Sequence, residues 1–459
     1  MQIKNVFSSL YKIIFDTIFY TILFSLFLGL LPESFFSKFD LKPLSFDNDH
    51  LNKYRSYSHL KWNNDLVIKS KYIGSDVLHG PESLAEIGDY IYTGTLGGKL
   101  MRIHKRNHQI ETVLQFKETN RCRKNSFMID KCSITKMLHL NSIGNAQSLK
   151  SDECGRFLGL RENQNILYIL EASTGLYRVD LNQKKLHRLS HDANVIEKKP
   201  IIFNDFVFDP KHSDLVYISV STSKRFLDQI VWSIFENDLT GYVFAFNITS
   251  GESFRISEGH AMSNGIEIVP QQNAILVCES TRNQLTRIDL DKARSFLRSK
   301  QKVLLANELP VFGEMLLGEP DNIRLDPSTG DLYVGIVSWR HSGKHLKDYF
   351  AQWPFIKTCV GRTAYALYVF FDYLNSNLIS MDSLEKYKND LFTGHFIYNL
   401  MPEKDGAIAR ISSKTGRIVK IYGSDKFFGV SEAITDHEGN LWFGSFRNSF
   451  VGLISQKNL

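Results

Sequence analysis

What this sequence lacks narrows it first. It holds no Cys-x-x-Cys pair, and the closely spaced histidines His104 with His108 and His187 with His191 fall in polar turns or at strand ends. Neither pattern argues for zinc. A Gly-x-Ser-x-Gly nucleophile elbow, a phosphate-binding P-loop and a Rossmann glycine cluster are all missing, and the glycines of GTLGGK (94–99) read as a hairpin turn. Charge of one sign is scarce too. The formal net charge is +6 and the basic residues are dispersed, so the concentrated cationic footprint of a nucleic-acid binder is absent. Cysteine is rare, with five in 459 residues. Cys278, inside the apolar run AILVCES, reads as a buried free thiol. Cys154 pairs with Cys122 or Cys132 across a long polar loop if the compartment is oxidising; all five cysteines free is the other reading.

What is present is a large apolar fraction, 43%, with 12% aromatic residues, enough for a substantial core. The chain is long enough for two or three domains or for one repeat-built unit. Its N-terminus is almost wholly apolar from Ile13 to Leu31, and about 20 helical residues span the hydrocarbon layer of a bilayer. No small-residue cleavage site follows, so the run reads as an uncleaved anchor, with a cleaved signal or a buried helix as alternatives. Lys4 and Lys12 precede it, which places residues 1–12 in the cytosol and the body on the luminal or extracellular side of a single-pass type II membrane protein, in the plasma membrane or endoplasmic reticulum. The sequon at Asn247 agrees with that side. Residues 32–70 read as a linker.

From residue 71 to the end the chain repeats one phrase: a turn, a short apolar strand, then small residues. It occurs as IGDYIYTGT ending at Thr95, NQNILYILEAS at Ser173, HSDLVYISVS at Ser221, QQNAILVCES at Ser280, TGDLYVGIVS at Ser338 and EGNLWFGSF at Phe446. Each leads into a second strand, often with a turn after it. Aromatic and β-branched runs punctuated by Gly, Asp and Asn are hairpin chemistry. Small antiparallel sheets repeated six times predict an all-β, six-bladed β-propeller, with an irregular β-sandwich pair as the alternative. Residues 341–375 lack strand alternation, are rich in aromatics, and read as a helical insertion before the last blade that caps one face.

Oxygen-bearing residues stand beside these strands over roughly 240 positions: Glu82 in GPES, Asn204 and Asp205 in FND, Asn264 in SNGIE, and Asp321 and Asn322 in EPDNI. Two or three carboxylates with neutral amide oxygens suit a hard cation such as Ca²⁺, which takes six to eight oxygen ligands. The ordinary alternative is that Asn and Asp cap turns at strand entry.

These phrases resemble the strictosidine synthase-like family, most closely its membrane-anchored animal branch. The resemblance is carried by GPES, TGTLGGKL (93–100), CGRFLGL (154–160), FNDFVFDP (203–210), SNGIEIVP (263–270), EPDNIRLDPSTGDLYVG (319–335) and HEGNLWFGSF (437–446). It implies a six-bladed propeller related to the paraoxonase-type calcium-dependent hydrolases, with Ca²⁺ in the central channel. By motif, Glu82, Asn204, Asn264 and Asp321 inherit the metal ligands, with Asn322 and Asp205 beside them. The sequence also departs from that pattern. Leu158 stands where paraoxonases have a proposed base histidine, Phe157 replaces a common proline, and Glu171-Ala172-Ser173 replaces the family's Asp-Ala-Tyr. Glu432 aligns near the glutamate that strictosidine synthase uses as a proton acceptor, although a solvated carboxylate at a strand entry is the plainer reading. The resemblance thus implies a calcium-dependent hydrolase of small esters or lactones. The alternatives are a non-catalytic surface propeller, with a structural ion, that binds a protein or small ligand, and, remotely, a strictosidine synthase-type condensation.

Overall fold

The computed structural model of the chain describes residues 2–52, 60–75, 77–116, 155–189, 201–296, 302–378, 382–400 and 404–459, the side chains of 2–14, 382–383 and 398–400 excepted. Cys122, Cys132 and Cys154 lie outside these residues. Cys278 and Cys359 are buried free thiols.

Six sheets follow one another along the chain, antiparallel except where the short outer strand Leu304–Leu305 joins the third in parallel. Their first strands are Leu84–Ile87, Phe157–Asn163, Ile202–Phe208, Ser263–Val269, Gly318–Leu325 and Val430–Thr435. Each of these packs against the next and the sixth packs against the first, so together they line a closed, propeller-like ring. The repeated phrases supply the second strands, from Tyr90–Thr95 to Leu441–Ser445. Between neighbouring sheets the side chains interlock: Leu276 of the fourth sheet packs with Val334 and Ala409 of the fifth. Fully burying a Leu or Val side chain there contributes about 1.5–3 kcal/mol. The GTLGGK turn closes the hairpin between the second and third strands of the first sheet, pairing Thr95 with Lys99. Gly97 and Gly98 there have φ of 77° and 67°, a conformation that side-chain-bearing residues adopt only at a cost. The last sheet borrows its outer strand from the start of the ring: Ser70–Ile73 pairs antiparallel with Val451–Ile454.

In such a sheet the first strand starts at one face of the ring and the second returns to it, so the connection between second and third strands lies over that face. Two long excursions occur there. In the third sheet, residues 223–240 carry the turn Leu227–Gln229 and the helix Ile230–Glu236. In the fifth, the insertion runs between its second strand, Leu332–Trp339, and its third, Ala407–Ile411. It carries the helices Leu346–Tyr349, Pro354–Asn377 and Asp382–Thr393 and the turn His395–Leu400, so it extends past residue 375.

These helices form a cap with its own apolar core, built from Phe39, Val231, Trp232, Phe235, Ala364 and Ile397. Phe39 belongs to the segment expected as a linker, which is therefore woven into the cap. Arg225 holds it there by donating to the carbonyl oxygens of Phe39 and Asp40 at 2.9 and 3.1 Å.

The apolar N-terminal run is helical over Gln2–Leu30 and packs on the helix Pro354–Asn377. Thr363 donates to Ser25 at 2.9 Å. Arg362 donates to the carbonyls of Leu28, Gly29 and Leu31 at 3.2, 3.0 and 2.5 Å, partners that the helix end cannot supply itself. Among the described residues no helix is long and apolar enough to cross a membrane. The sequon residue Asn247 ends a strand, and its amide engages Asp214 and the backbone N–H groups of Thr249 and Ser250.

Candidate functional site

The first strands bring most of the expected oxygens to one place. In the third, fourth and fifth sheets the pairing slips at the motif: Phe203 faces Val220 but Phe206 faces Ile218, Ser263 faces Glu279 but Ile266 faces Val277, and Pro320 faces Ile336 but Ile323 faces Val334. Each slip sets two residues against one. These are β-bulges, which re-aim the side chains that they carry. The bulged pairs are Asn204-Asp205, Asn264-Gly265 and Asp321-Asn322. At Gly265 a Cβ would fall 2.5 Å from Asn322 Cα and 2.6 Å from Ile323 N, so only glycine lets the fourth and fifth first strands approach this closely.

Asn204, Asn264, Asp321 and Glu82 line one cavity of about 160 Å³. Asn204 Nδ2 donates to Ser221 Oγ at 3.0 Å and Asn264 Nδ2 to Ser280 Oγ at 3.1 Å. The serines in turn donate to the carbonyls of Ser263 and Pro320 on the next sheet, at 2.8 and 2.7 Å. Both amides are therefore fixed through nitrogen, and both amide oxygens are buried with no hydrogen-bond partner. Ser221 and Ser280 are the small residues that end two of the repeated phrases, and their orienting role is invisible until the strands are paired.

The two carboxyl groups are strained by the same setting. Burial, and then the charge of Glu82, push Asp321 well above the usual carboxylate range. Burial also raises Glu82, against the opposing pull of Arg156, whose Nη2 donates to Glu82 Oε2 at 2.5 Å. A dication relieves all of these at once, by pairing the two carboxylates and satisfying the two amide oxygens. The donor set Glu82, Asn204, Asn264 and Asp321 thus fits Ca²⁺. Among the described residues no group of three or more His, Cys, Asp or Glu side chains is clustered to hold a metal, so the fit depends on the asparagines.

The remaining expected oxygen-bearing residues do not line this cavity. Asp205, fully buried, accepts from Arg324 at 2.7 Å and from Arg161 at 3.2 Å. Burial alone would raise its pKa, but the two guanidiniums overcome that and lower it. Arg161 also pairs with Glu267 at 2.7 Å. Glu432 does not line the cavity. It accepts from Arg324 Nη2 at 2.5 Å, Ser83 Oγ at 2.8 Å and the Leu84 backbone at 3.0 Å, and burial raises it to about 7. The protein itself therefore supplies the cations for Asp205 and Glu432. Asn322 is fully buried, with neither amide atom hydrogen-bonded. Glu171 serves a loop, accepting from the Ser173 and Thr174 backbones at 2.9 and 2.7 Å. Leu158 lines the cavity as an apolar wall, with Ile202, Met262 and Phe446.

Comparison with known proteins shows the family. The family described as SMP-30/Gluconolactonase/LRE-like region matches residues 91–350, more than half of the chain. The adipocyte plasma membrane-associated protein of Rattus norvegicus is 24% identical over 387 residues, 83% of this chain and 85% of that protein. The Homo sapiens protein of that name is 24% identical over 382 residues, 82% of this chain and 76% of its own length. Among solved structures, a gluconolactonase from Xanthomonas campestris aligns with a TM-score of 0.47 at 9% identity, covering 90% of this chain and 94% of that one. A calcium-binding regucalcin from Agrobacterium tumefaciens aligns with a TM-score of 0.45 at 10% identity, covering 83% and 92%. Six small sheets in a ring, motif residues gathered at one end of it and a family match across its centre lead to one conclusion: this chain belongs to the SMP-30/gluconolactonase/LRE-like family.

Proposed function

We propose that this protein is a membrane-anchored, calcium-dependent hydrolase of small esters or lactones. The observation that carries the proposal is the pair of unpartnered amide oxygens of Asn204 and Asn264, set in one cavity with the carboxyl groups of Glu82 and Asp321. These four residues would hold the Ca²⁺, which when bound supplies Lewis-acid polarisation of a substrate carbonyl. Leu158, Ile202, Met262 and Phe446 give the substrate an apolar wall and keep bulk water away. Arg156, held by Glu82 and by the Gly80 carbonyl at 2.7 Å, fixes the position of the Glu82 carboxylate. The N-terminal helix would serve as the anchor. Most of its side chains from Phe15 to Leu30 are apolar, and many of these are exposed, as with Ile18, Phe19, Ile22, Leu23 and Phe24, and lipid is the solvent that suits such a surface.

A second reading has its own support. Leu158 stands where related hydrolases carry a histidine, which favours a propeller whose ion is structural and whose face binds a protein or small ligand. Full-length protein in detergent separates the two readings. Hydrolysis of an aryl acetate and a lactone panel is measured with and without Ca²⁺, for wild type, Asn264→Ala and Asp321→Ala. Calcium-dependent turnover lost in both variants supports the hydrolase. Calcium that raises the melting temperature without turnover supports the structural ion, and calcium that changes neither removes the cation site.

A further inference from the structure

Of the four acidic groups that line the cavity, the cation reading uses Glu82 and Asp321, and Arg340 and Lys347 pair with Glu319, which leaves Asp228. Asp228 sits on the turn Leu227–Gln229, part of the cap rather than of the ring. It lines the same cavity as Glu82, Asn204, Asn264 and Asp321, but among Leu227, Ile230, Val231 and Ile234. It is 7% exposed, and its Oδ1 has no hydrogen-bond partner. Among the described residues no basic side chain pairs with it. Glu82, Asp205, Glu171 and Glu432 each have such a cation or a set of donors, and Asp321 is the carboxyl that the cation reading uses. A buried, unpaired carboxylate costs stability, and such groups persist where a site uses them.

We propose that Asp228 is the general base of this site, taking the place of the histidine that Leu158 excludes. This rests on the hydrolase reading. A water between Asp228 and the polar floor gives a proton to Asp228 Oδ1 while its oxygen bonds to the substrate carbonyl carbon. The bond from that carbon to the leaving oxygen then breaks, and the leaving oxygen takes the proton back from Asp228. Acid and alcohol result, or a hydroxy acid from a lactone, and the carboxylate is regenerated.

The electrostatic setting suits the role. Burial pushes Asp228 up to about 6, opposed only by backbone N–H groups, close to where a base for neutral pH is most effective. Glu82, Asp321, Glu319 and Arg156 face the cavity from the ring, and Lys347 and His395 from the cap; Lys386 and Asp390 belong to the neighbouring helix Asp382–Thr393. His395 is held near 4 by burial and so is neutral at pH 7.

The test uses full-length Asp228→Asn and Asp228→Glu. Asp228→Asn should lose about 10²–10⁴-fold in kcat with its calcium-induced melting shift intact, and should lack the wild-type acid limb near pH 6. Asp228→Glu should restore part of the rate. Independently of activity, Asp228→Asn should melt higher than wild type at pH 8 but not at pH 3.5, because the native-state penalty exists only where Asp228 is charged. A fully active Asp228→Asn that keeps the acid limb overturns the assignment and leaves the hydrolase standing. So does a variant with no gain in melting temperature at pH 8. A wild type without calcium-dependent turnover overturns the hydrolase reading and this assignment with it.

Discussion

The amide nitrogen of Asn264 donates to the hydroxyl of Ser280 at 3.1 Å, and this bond decides which end of the amide faces the cavity. Without it the amide is free to rotate and present N–H groups that repel a cation. A group that hydrogen-bonds to a metal ligand and orients it is typically worth roughly 10–100-fold in metal affinity. Ser280→Ala should therefore weaken calcium binding by about that factor, read by calorimetric titration, with a smaller loss in the melting temperature of the calcium-free protein.

The close approach at Gly265 makes a sharper prediction. A methyl group there meets the backbone of residues 322 and 323 rather than a flexible side chain. Gly265→Ala should cost about 1–3 kcal/mol in urea unfolding and should reduce the calcium-induced melting shift, because Asn264 and Asp321 sit on the two strands forced apart.

Arg340 grips the cap to the ring. Its guanidinium forks onto Glu319 and onto Asp348, the latter at 3.1 and 3.0 Å. Burial alone would raise Asp348, but Arg340 overrides it and holds the carboxyl at about 2, below its ordinary 3.8. A depressed pKa stabilises the folded state above the unfolded value, and the gain is lost as pH falls from about 3.8 through 2. It amounts to about 2 kcal/mol. Wild type should lose that stability over this window, whereas Asp348→Asn should lack it already at pH 7, as read by denaturant midpoints across pH.

Arg324 bridges Asp205 and Glu432, so removing it leaves two buried carboxylates short of a cation. Arg324→Met should destabilise by about 3–5 kcal/mol. Glu432→Gln should alter the unfolding midpoint more than kcat; a kcat loss exceeding 100-fold with an unchanged midpoint would give Glu432 a chemical role instead.

The proposed topology is tested in microsomes. A C-terminal epitope should be protected from added protease until detergent is present, and digestion from the cytosolic side would overturn the orientation.

The six phrases were legible because a second strand buried on both faces must be a continuous apolar run, as ILYILE and AILVCE are. The first strands were legible only as motifs. Their bulges break the two-residue alternation at the very residues that matter, so FND, SNG and PDN look like turns. Arg161 and Arg324 escaped notice because an arginine within a strand signals solvent unless the strand is known to line an axis. Asp228 was hidden in RFLDQIVWSIFE, an apolar stretch with no strand pattern, and its importance comes from a cap that folds back over the ring. Nothing in the pattern of residues signals that Phe39, just after the apolar N-terminal run, packs with Ala364 and Ile397 far along the chain.

The borrowed strand Ser70–Ile73 gives the ring a seam, and the seam lies on the path to the N-terminal helix. The clasp of the ring is a four-residue ladder from this strand to Val451–Ile454. A cut on the N-terminal side of Ser70 would leave the circle shut. A cut just beyond Ile73 would leave the last sheet one strand short and the circle open.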